Sequence, residues 1–240
     1  MTHVALVTGG TRGIGEAISI ALSDMGMKVA ANYVGNDARA AEFTERTGVR
    51  SYKWNIADFD ECQAGVEKVV QDLGPINVLV NNAGITRDAN ILKMTPENWR
   101  KVIDVNLSGC FNMCKLVFAE MKKAGYGRIV NISSLNGQIG QFGQANYAAA
   151  KSGMLGLTKT LAQEGARAGV TVNAIAPGYI ETEMSTAMSP EVLQKMVARI
   201  PVSRLGQPSE VARGVVFLCA EDAGFITGTV LSINGGQLMF

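Results

Sequence analysis

Two polar side chains four residues apart form the most reactive pair in this sequence. Tyr147 and Lys151 are separated by three alanines, which favour a helix, and the i, i+4 spacing places both side chains on one helix face. A free tyrosine has a pKa of about 10, and a nearby lysine cation is expected to lower it. The pair is therefore predicted to give a proton to a carbonyl oxygen or to accept one from an alcohol. Alone, this spacing is also common on solvated helix faces.

Two further residues could complete such a site. The run Gly127–Ser133 is typical of a parallel strand, and Ser134 follows it, where a side chain can face an active crevice and hydrogen-bond a substrate oxygen. Asn106 lies within a helical pattern, where asparagine is disfavoured, and a buried asparagine that holds a water molecule would explain it. The alternatives are that Ser134 is an N-cap or turn residue and that Asn106 is exposed.

A glycine-rich turn follows the first strand-like run. Gly9, Gly13 and Gly15 have the spacing Gly-x3-Gly-x-Gly, and a helix is predicted directly after them. Glycine lets the backbone approach a pyrophosphate, and the helix N-terminus attracts that negative charge. The spacing differs from the common G-x-G-x-x-G pattern, so a merely structural turn is the alternative. The position between the first strand and the first helix favours a dinucleotide site.

The end of the second strand-like run indicates which dinucleotide would bind. No acid stands where NAD-selective proteins place a carboxylate on the ribose hydroxyls. Arg12 lies within the glycine turn and Arg39 follows the second strand, and a guanidinium matches a 2′-phosphate well. Asn32 is another candidate contact. The alternative for Arg39 is an ordinary exposed arginine at a helix start. We therefore predict that the cofactor is NADPH/NADP.

Alternating strands and helices must position these residues. Near-continuous apolar runs joined by helical segments, with glycines 26, 48, 74 and 125 where helices should end, predict a parallel sheet covered on both faces. We expect one α/β domain over residues 1–240, with a substrate lid in Pro177–Ser189 before the amphipathic segment Pro190–Arg199. The predicted strands are Val4–Thr8, Lys28–Tyr33, Arg50–Asn55, Asn77–Asn81, Gly127–Ser133, Val170–Ala176 and Thr229–Ile233, and the clearest helices are Gly15–Met25, Asp60–Leu73 and Trp99–Lys122.

Composition excludes several classes of protein. The 240 residues carry a net charge of +1 and no basic block longer than two lysines, so neither nucleic acid nor a membrane is an expected partner. No signal peptide is visible, the apolar runs are short of a membrane span, and four scattered cysteines indicate a cytoplasmic protein. The single histidine, His3, is expected at the surface, which leaves no imidazole for a Ser-His-Asp hydrolase and no metal site.

Six motifs, taken together, resemble the short-chain dehydrogenase/reductases along the whole chain. They are Thr8-Gly9-x3-Gly13-x-Gly15, Asn81-Asn82-Ala83-Gly84, Asn106, Ser134, Tyr147-x3-Lys151 and Pro177-Gly178. The resemblance implies a Rossmann-type, doubly wound, seven-stranded parallel sheet and a homotetramer. It also implies that Tyr147 is the acid, that Lys151 lowers the pKa of Tyr147 and binds the nicotinamide ribose, that Ser134 positions the carbonyl, and that Asn106 supports a water-mediated proton relay.

The same resemblance supplies a set of cofactor contacts. It implies that Asn81, Ala83 and Gly84 line the cofactor cleft, that Asn55 and Ile56 flank the adenine, and that residues after the sixth strand contact the nicotinamide. The predicted cofactor-binding residues are Gly9, Thr11, Arg12, Gly13, Ile14, Gly15, Asn32, Arg39, Asn55, Ile56, Asn81, Ala83, Gly84, Tyr147, Lys151, Pro177, Gly178, Ile180 and Thr182.

Within the family, the chain looks most like the acetoacetyl-CoA reductases of polyhydroxybutyrate synthesis, which form (R)-3-hydroxybutyryl-CoA. The β-ketoacyl-acyl-carrier-protein reductases share the segment 81–88 and are the near rival, and a cofactor-binding scaffold that has lost its chemistry is a third hypothesis. The Gln-Phe-Gly-Gln element at 141–144 favours the coenzyme A thioester, although its glutamines could simply stabilise a loop. The predicted substrate contacts are Ser134, Gln141, Phe142, Gln144, Tyr147 and Tyr179.

Overall fold

Seven parallel strands form the centre of the computed structural model, which describes residues 2–183 and 189–239. The central strands are short, mainly apolar runs because both faces of the sheet are covered by helices, whereas the edge strand β3, Arg50–Lys53, has a charged residue at each end. The strand order is β3-β2-β1-β4-β5-β6-β7, and each neighbouring pair is parallel. The strands are β1 Val4–Val7, β2 Lys28–Tyr33, β3 Arg50–Lys53, β4 Ile76–Asn81, β5 Gly127–Ile132, β6 Val170–Pro177 and β7 Val230–Ile233.

Helices connect the strands and cover the sheet on two sides. The described helices are α1 Gly13–Asp24, α2 Asp37–Thr47, α3 Phe59–Leu73, α4 Pro96–Ile103, α5 Gly109–Ala124, α6 Asn136–Ile139, α7 Ala145–Gly165, α8 Pro190–Val197 and α9 Pro208–Cys219. A π-helical turn, Asp104–Ser108, joins α4 to α5, and 3-10 turns lie at Ala166–Ala168 and Glu221–Phe225.

Two hydrophobic clusters fix the helices to the sheet. One cluster joins α3, α5 and α7 to one face through buried residues such as Val69, Met113 and Met154. The other joins α1, α2 and α9 to the opposite face through residues such as Leu22, Phe43 and Leu218. This three-layer arrangement confirms the predicted doubly wound α/β fold.

The order of the strands creates the crevice in which a ligand can bind. The chain runs from β1 outward to β3 and then crosses back, so β4 lies beside β1 on its other side. In open parallel sheets such a reversal leaves a crevice at the carboxyl ends of the two central strands. The glycine turn follows β1 and residues 82–84 follow β4, so both predicted motifs lie at this crevice.

The clearest difference from the predicted elements lies in the helix before β5. The sequence predicts one helix over Trp99–Lys122, whereas the structure has α4, a π-helical turn and α5. The turn contains Asn106, whose side chain bonds the backbone of another segment, and this demand displaces the regular helical hydrogen bonding. The glycines predicted to end helices all have positive φ, from 71° at Gly125 to 108° at Gly74.

Two expectations about exposure need correction. His3 is less exposed than expected, because its ring stacks on Tyr126 with ring centroids 4.4 Å apart and 18% of its side chain is exposed, although it still contacts the exposed Glu221. The sequence was expected to contain no apolar run long enough to span a membrane. One helical stretch, Pro96–Ala124, is nevertheless long and apolar enough to do so by length and composition alone. Core helices of soluble proteins pass the same test, and 44% of the apolar window is buried within the fold.

Candidate active site

Helix α7 places Tyr147 and Lys151 against the end of β5. The helix is held there by the hydroxyl of Ser133, which donates a hydrogen bond to the carbonyl of Lys151 at 2.9 Å. Helix α6 packs closely on the same turn, since a Cβ atom built on Gly137 would lie 2.8 Å from the carbonyl carbon and Cβ of Lys151. Real Cβ atoms essentially never approach this closely, so glycine at position 137 lets the two helices meet beneath the catalytic pair.

The ammonium group of Lys151 is buried and oriented by the backbone. Its Nζ donates a hydrogen bond to the carbonyl of Ile132 at 2.7 Å and lies 5.7 Å from the centroid of the Tyr147 ring. Burial disfavours the charged form and lowers the pKa of Lys151 from 10.5 to about 8. The lysine therefore carries a proton that it can readily give up near neutral to mildly basic pH.

The pKa of Tyr147 does not follow the expected direction in this structure. Burial of the phenol raises its pKa above 10, a hydrogen bond with Ser134 lowers it, and the nearby Asp88 carboxylate raises it. The prediction that Lys151 lowers this pKa is wrong here, because the ammonium points to the carbonyl of Ile132 and burial of the phenol dominates. The expected grouping of Ser134, Tyr147 and Lys151 is present.

Asn106 faces this group from the π-helical turn. It is fully buried, and its side chain accepts a hydrogen bond from the backbone nitrogen of Ile85 at 2.8 Å and donates one to the carbonyl of Ile85 at 3.0 Å. A Cβ built on Gly84 would lie 3.4 Å from Oδ1 of Asn106 and 3.6 Å from Nζ of Lys151. Glycine at position 84 thus leaves space between these two polar groups, and a larger side chain would fill it.

The glycine turn and the segment after β4 are locked together by Thr8. Its hydroxyl accepts hydrogen bonds from the backbone nitrogens of Asn82 and Ala83, both at 3.0 Å, and Asn82 donates back to the carbonyls of Thr8 and Gly9. These contacts hold the two walls of the crevice at a fixed separation.

The turn itself has the geometry that a pyrophosphate site requires. Gly9 and Gly13 have φ of 61° and 53°, a region that favours glycine. A Cβ on Gly15 would lie only 2.0 Å from the carbonyl oxygen of Gly9. The turn ends at the N-terminus of α1, where backbone N–H groups and the helix dipole attract an anion. The residues present therefore fit a dinucleotide cofactor.

Asn32 has another role than the expected cofactor contact. It is buried, its Oδ1 accepts a hydrogen bond from the backbone nitrogen of Gly9 at 3.4 Å, and its Nδ2 donates to the carbonyl of Trp54 at 3.0 Å. The structure places it behind the glycine turn, where it braces the turn against the segment after β3.

An open groove of about 560 Å³ lies beyond the glycine turn, between the N-terminal part of α1 and the length of α2. Arg39 contributes its guanidinium to this groove and forms an ion pair with Glu183, while Arg46 forms one with Glu16. Arg12 is exposed at the N-cap position of α1. The groove is lined by Thr11, Glu16, Asn36, Ala38, Arg39, Glu42, Phe43, Arg46 and Glu183.

Two predicted contacts point mainly into the core. Ile56 is 6% exposed and packs so tightly on Gly109 that a Cβ there would lie 2.8 Å from its side chain. Ile180 is 9% exposed and packs on Gly206 and the core cluster. These side chains therefore support the walls of the crevice, and the contacts of Ile56 with adenine and of Ile180 with nicotinamide stay predictions that only the backbone of each residue is placed to fulfil. Asn55 instead caps its own loop by accepting from the backbone nitrogen of Ala57 at 3.1 Å.

The segment 141–144 divides into bonded and exposed parts. Gln144 donates to the Asp88 carboxylate at 2.8 Å and accepts from Asn136 at 2.9 Å, so the interpretation that it stabilises a loop describes its contacts here. Gln141 and Phe142 are exposed, the latter to 87%. Tyr179 is half-buried and receives a backbone hydrogen bond from Gly206 at its carbonyl. Part of the predicted lid, residues 184–188, lies outside the described residues.

Sequence reasoning missed a positioning residue next to the catalytic tyrosine. Asn146 is fully buried, donates to the carbonyls of Arg87 and Asn98 at 3.0 and 3.3 Å, and accepts from the backbone nitrogen of Tyr147. It ties the start of α7 to the segment after β4. Its only sequence signal is an amide residue immediately before the tyrosine, which alone predicts no role.

A buried chain of polar side chains lies beneath the crevice and includes Asn81, which the resemblance placed along the cofactor cleft. Asn81 donates to Asn131 at 2.9 Å, and Asn131 donates to Thr158 at 2.9 Å, so the ends of β4 and β5 are bonded to α7. In residues 2–183 and 189–239, no group of three or more His, Cys, Asp or Glu side chains is placed to hold a metal ion.

A crevice with a glycine turn on one side and a Ser-Tyr-Lys group on the other defines a nicotinamide-dependent oxidoreductase. A family model described as enoyl-(acyl carrier protein) reductase matches residues 9–237, nearly the whole chain. The chain belongs to this family of short-chain dehydrogenase/reductases and is an oxidoreductase, and family membership implies a nicotinamide cofactor.

The curated relatives are similar along their full lengths. An acetoacetyl-CoA reductase of Paracoccus denitrificans is 62% identical over 239 residues, and one of Rhizobium meliloti is 60% identical over 238 residues, with 99% of each chain covered in both cases. A 3-oxoacyl-(acyl-carrier-protein) reductase of Staphylococcus aureus is 44% identical over 244 residues, covering 100% of this chain and 99% of that one.

Proposed function

We propose that this protein reduces acetoacetyl-CoA to (R)-3-hydroxybutyryl-CoA with NADPH, in polyhydroxybutyrate synthesis. The observation that carries the proposal is the group of Ser134, Tyr147 and the buried Lys151 beside a glycine-turn crevice. Relatives named acetoacetyl-CoA reductase are 60–62% identical over 99% of the chain, which favours this ketone among the substrates of the family.

The chain's own residues provide the proton chemistry. The bound cofactor supplies hydride to the ketone carbon. Negative charge then develops on the ketone oxygen, to which the Tyr147 hydroxyl gives its proton while the Ser134 hydroxyl donates a second hydrogen bond. Burial raises the pKa of Tyr147, so the phenol keeps its proton at neutral pH and is a weaker acid than free tyrosine. The proton moves because the alkoxide that forms on the ketone oxygen is a much stronger base than a phenolate. Lys151 and Asn106 border the open space at Gly84, and a chain of water molecules there would return a proton to Tyr147 after each turnover.

The proposed preference for NADPH rests on two arginines, Arg39 in the open groove and Arg12 in the glycine turn. Arg39 lies at the start of α2, directly beyond the end of β2, and no carboxylate stands at the end of that strand to bind ribose hydroxyls. A guanidinium recognises a phosphate by paired, charge-assisted hydrogen bonds. Arg12, exposed at the N-cap of α1, is the second cation available to the same phosphate.

Two separate apolar faces support a homotetramer. Phe111 is exposed on α5, and Phe217 on α9, which lies on the opposite face of the sheet; Phe225 is fully exposed beside it. If each face pairs with the same face of another subunit, the two contacts together produce a tetramer with dihedral symmetry. Met239 is also exposed, whereas Phe240, the rest of the predicted C-terminal patch, lies outside the described residues. We propose that each subunit of the tetramer is a single domain. We also propose that the protein is cytoplasmic, since its four cysteines are free thiols.

The alternative is a 3-oxoacyl-(acyl-carrier-protein) reductase of fatty-acid synthesis, favoured by relatives of that name at 44% identity. Loss of NADPH absorbance with acetoacetyl-CoA and with acetoacetyl-acyl-carrier-protein, at matched concentrations, separates the two. We expect a much higher kcat/KM for the coenzyme A ester. A strong preference for the carrier protein would assign the enzyme to fatty-acid synthesis, and no turnover with either would reject both.

A further inference from the structure

A short strap crosses the cofactor crevice from the end of β6 to the start of α2. We define the strap as Glu181–Glu183. It is anchored at its beginning, where the backbone nitrogen of Glu181 donates to the carbonyl of Gly206 at 2.7 Å. Further along, a Cβ built on Gly13 would lie 3.8 Å from the methyl group of Thr182, so the strap passes over the glycine turn. It thus lies above the place where a pyrophosphate would bind.

The strap ends on the arginine that is proposed to recognise the cofactor's 2′-phosphate. Glu183 forms an ion pair with Arg39, and this contact joins a loop on the substrate side of the crevice to α2 on the adenosine side. The pKa of Glu183 is lowered first by its hydrogen bond with Arg39, and the charge of Arg12 lowers it further. The Glu183 carboxylate therefore lies near both Arg39 and Arg12, the two arginines that are proposed to bind the 2′-phosphate.

Neighbouring acids in the groove are arranged differently. Glu16 pairs with Arg46, which lies about two helical turns after Arg39 on α2, and so Glu183 is the acid paired with Arg39. Glu42 acts on Arg39 only through its charge. Glu181, two residues before Glu183 in the same strap, bonds the side-chain amide of Gln207 rather than an arginine. The pairing of Glu183 with Arg39 is thus specific to one position of the strap.

We propose that Glu183 is a specificity-determining residue that competes with the cofactor's 2′-phosphate for Arg39, so that the phosphate releases the strap from α2. The inference rests on the proposed NADPH preference. A 2′-phosphate carries more charge and more acceptor oxygens than a carboxylate, so it displaces Glu183, whereas a cofactor without this phosphate leaves the ion pair in place. The substrate side of the crevice thereby responds to which cofactor is bound.

The test uses two adenosine probes and an isosteric variant. Dissociation constants of adenosine 2′,5′-bisphosphate and adenosine 5′-phosphate are measured by calorimetry for wild type, Glu183→Gln and the control Glu181→Gln. Removing the competing charge should tighten the bisphosphate by about two- to fivefold, the range expected from an exposed ion pair, and leave the monophosphate unchanged. Glu181→Gln should change neither constant, and the gain should shrink with added salt.

A double-mutant cycle shows whether Arg39 mediates the effect. In an Arg39→Gln background, Glu183→Gln should tighten the bisphosphate less than it does when Arg39 is present, because only Arg12 is then left for the two anions to share. Equal effects in both backgrounds, or a Glu183→Gln protein that matches Glu181→Gln, would overturn the inference while the NADPH preference stands. A wild-type protein that binds both probes equally would reject the NADPH preference and the inference with it.

Discussion

The two ends of the crevice hold their polar groups in opposite ways. At the catalytic end, Lys151 and Asn106 are buried and bonded to backbone carbonyls and nitrogens at 2.7–3.0 Å. At the adenosine end, Arg39 and Arg46 reach into an open groove and pair with exposed or half-exposed carboxylates. Proton transfer needs groups fixed in advance, whereas recognition of a phosphate needs a cation that can exchange partners.

The largest effect is expected from replacing the proposed acid, Tyr147, at the catalytic end of the crevice. Tyr147→Phe removes only the hydroxyl, so binding of NADPH should stay intact while turnover of acetoacetyl-CoA falls by roughly 10²–10⁴-fold. Fluorescence titration of NADPH and the absorbance assay measure the two quantities on the same preparation. Near-normal turnover in this variant would show that Tyr147 is not the acid.

Burial of the lysine predicts a dependence of stability on pH. The pKa of Lys151 is about 8 in the folded protein and 10.5 in its ordinary state, so the unfolded chain binds more protons between these values. The stability contributed by this group is therefore highest above 10.5 and is lost as the pH falls through 8. Wild type therefore gains stability as the pH rises across this window, whereas Lys151→Met, which has no group to titrate at this position, does not. The free energy of unfolding of the variant minus that of wild type should fall by about 3 kcal/mol from the low to the high end of the window.

Urea unfolding at pH 7.5 and 10.5, at one protein concentration, measures this difference. Comparing the variant with wild type at each pH cancels the groups that the two proteins share. Free energies of unfolding that change in parallel would mean that Lys151 keeps an ordinary pKa despite its burial.

Close packing beneath the catalytic pair predicts the next effect. Gly137→Ala forces a Cβ to within 2.8 Å of Lys151, so α6 and α7 must separate, at a cost of about 1–3 kcal/mol and with lower kcat. Gly156→Ala is the matched control on α7, because a Cβ there meets nothing within 4 Å. The control should be stabilised by about 0.5–1 kcal/mol through helix propensity. Equal thermal stability of the two variants would contradict the packing argument.

The same contrast explains what the sequence could predict. Tyr147, Lys151 and the glycine turn were predictable because their spacing matches a helix face and a strand-to-helix turn, which are local geometries. The roles of Asn32 and Ile56 were not, because only the packing of β2 and β3 against distant segments turns these side chains inward. The pKa direction of Tyr147 also needed the structure, since burial of the phenol depends on all its neighbours.

The pairing of Arg39 with Glu183 joins residues 144 positions apart, and nothing local at either residue signals it. Likewise, the π-helical turn exists because Asn106 bonds Ile85, 21 residues earlier in the chain. Sequence patterns thus locate the reacting groups, while tertiary contacts decide which polar residues face the ligand and which brace the walls.

The smallest expected effect sharpens the comparison at the substrate rim, where two glutamines lie three residues apart. Gln144 bridges Asp88 and Asn136, so Gln144→Ala should lose two hydrogen bonds and about 1–3 kcal/mol of stability. Gln141 is exposed, so Gln141→Ala should change stability by less than about 0.5 kcal/mol.

Thermal unfolding measures the stability of both variants, and kcat/KM with acetoacetyl-CoA shows which residue contacts the thioester. A higher KM for Gln141→Ala with unchanged stability would assign recognition to the exposed glutamine, whereas a kinetic change confined to Gln144→Ala would follow from loosening of the loop that precedes Tyr147.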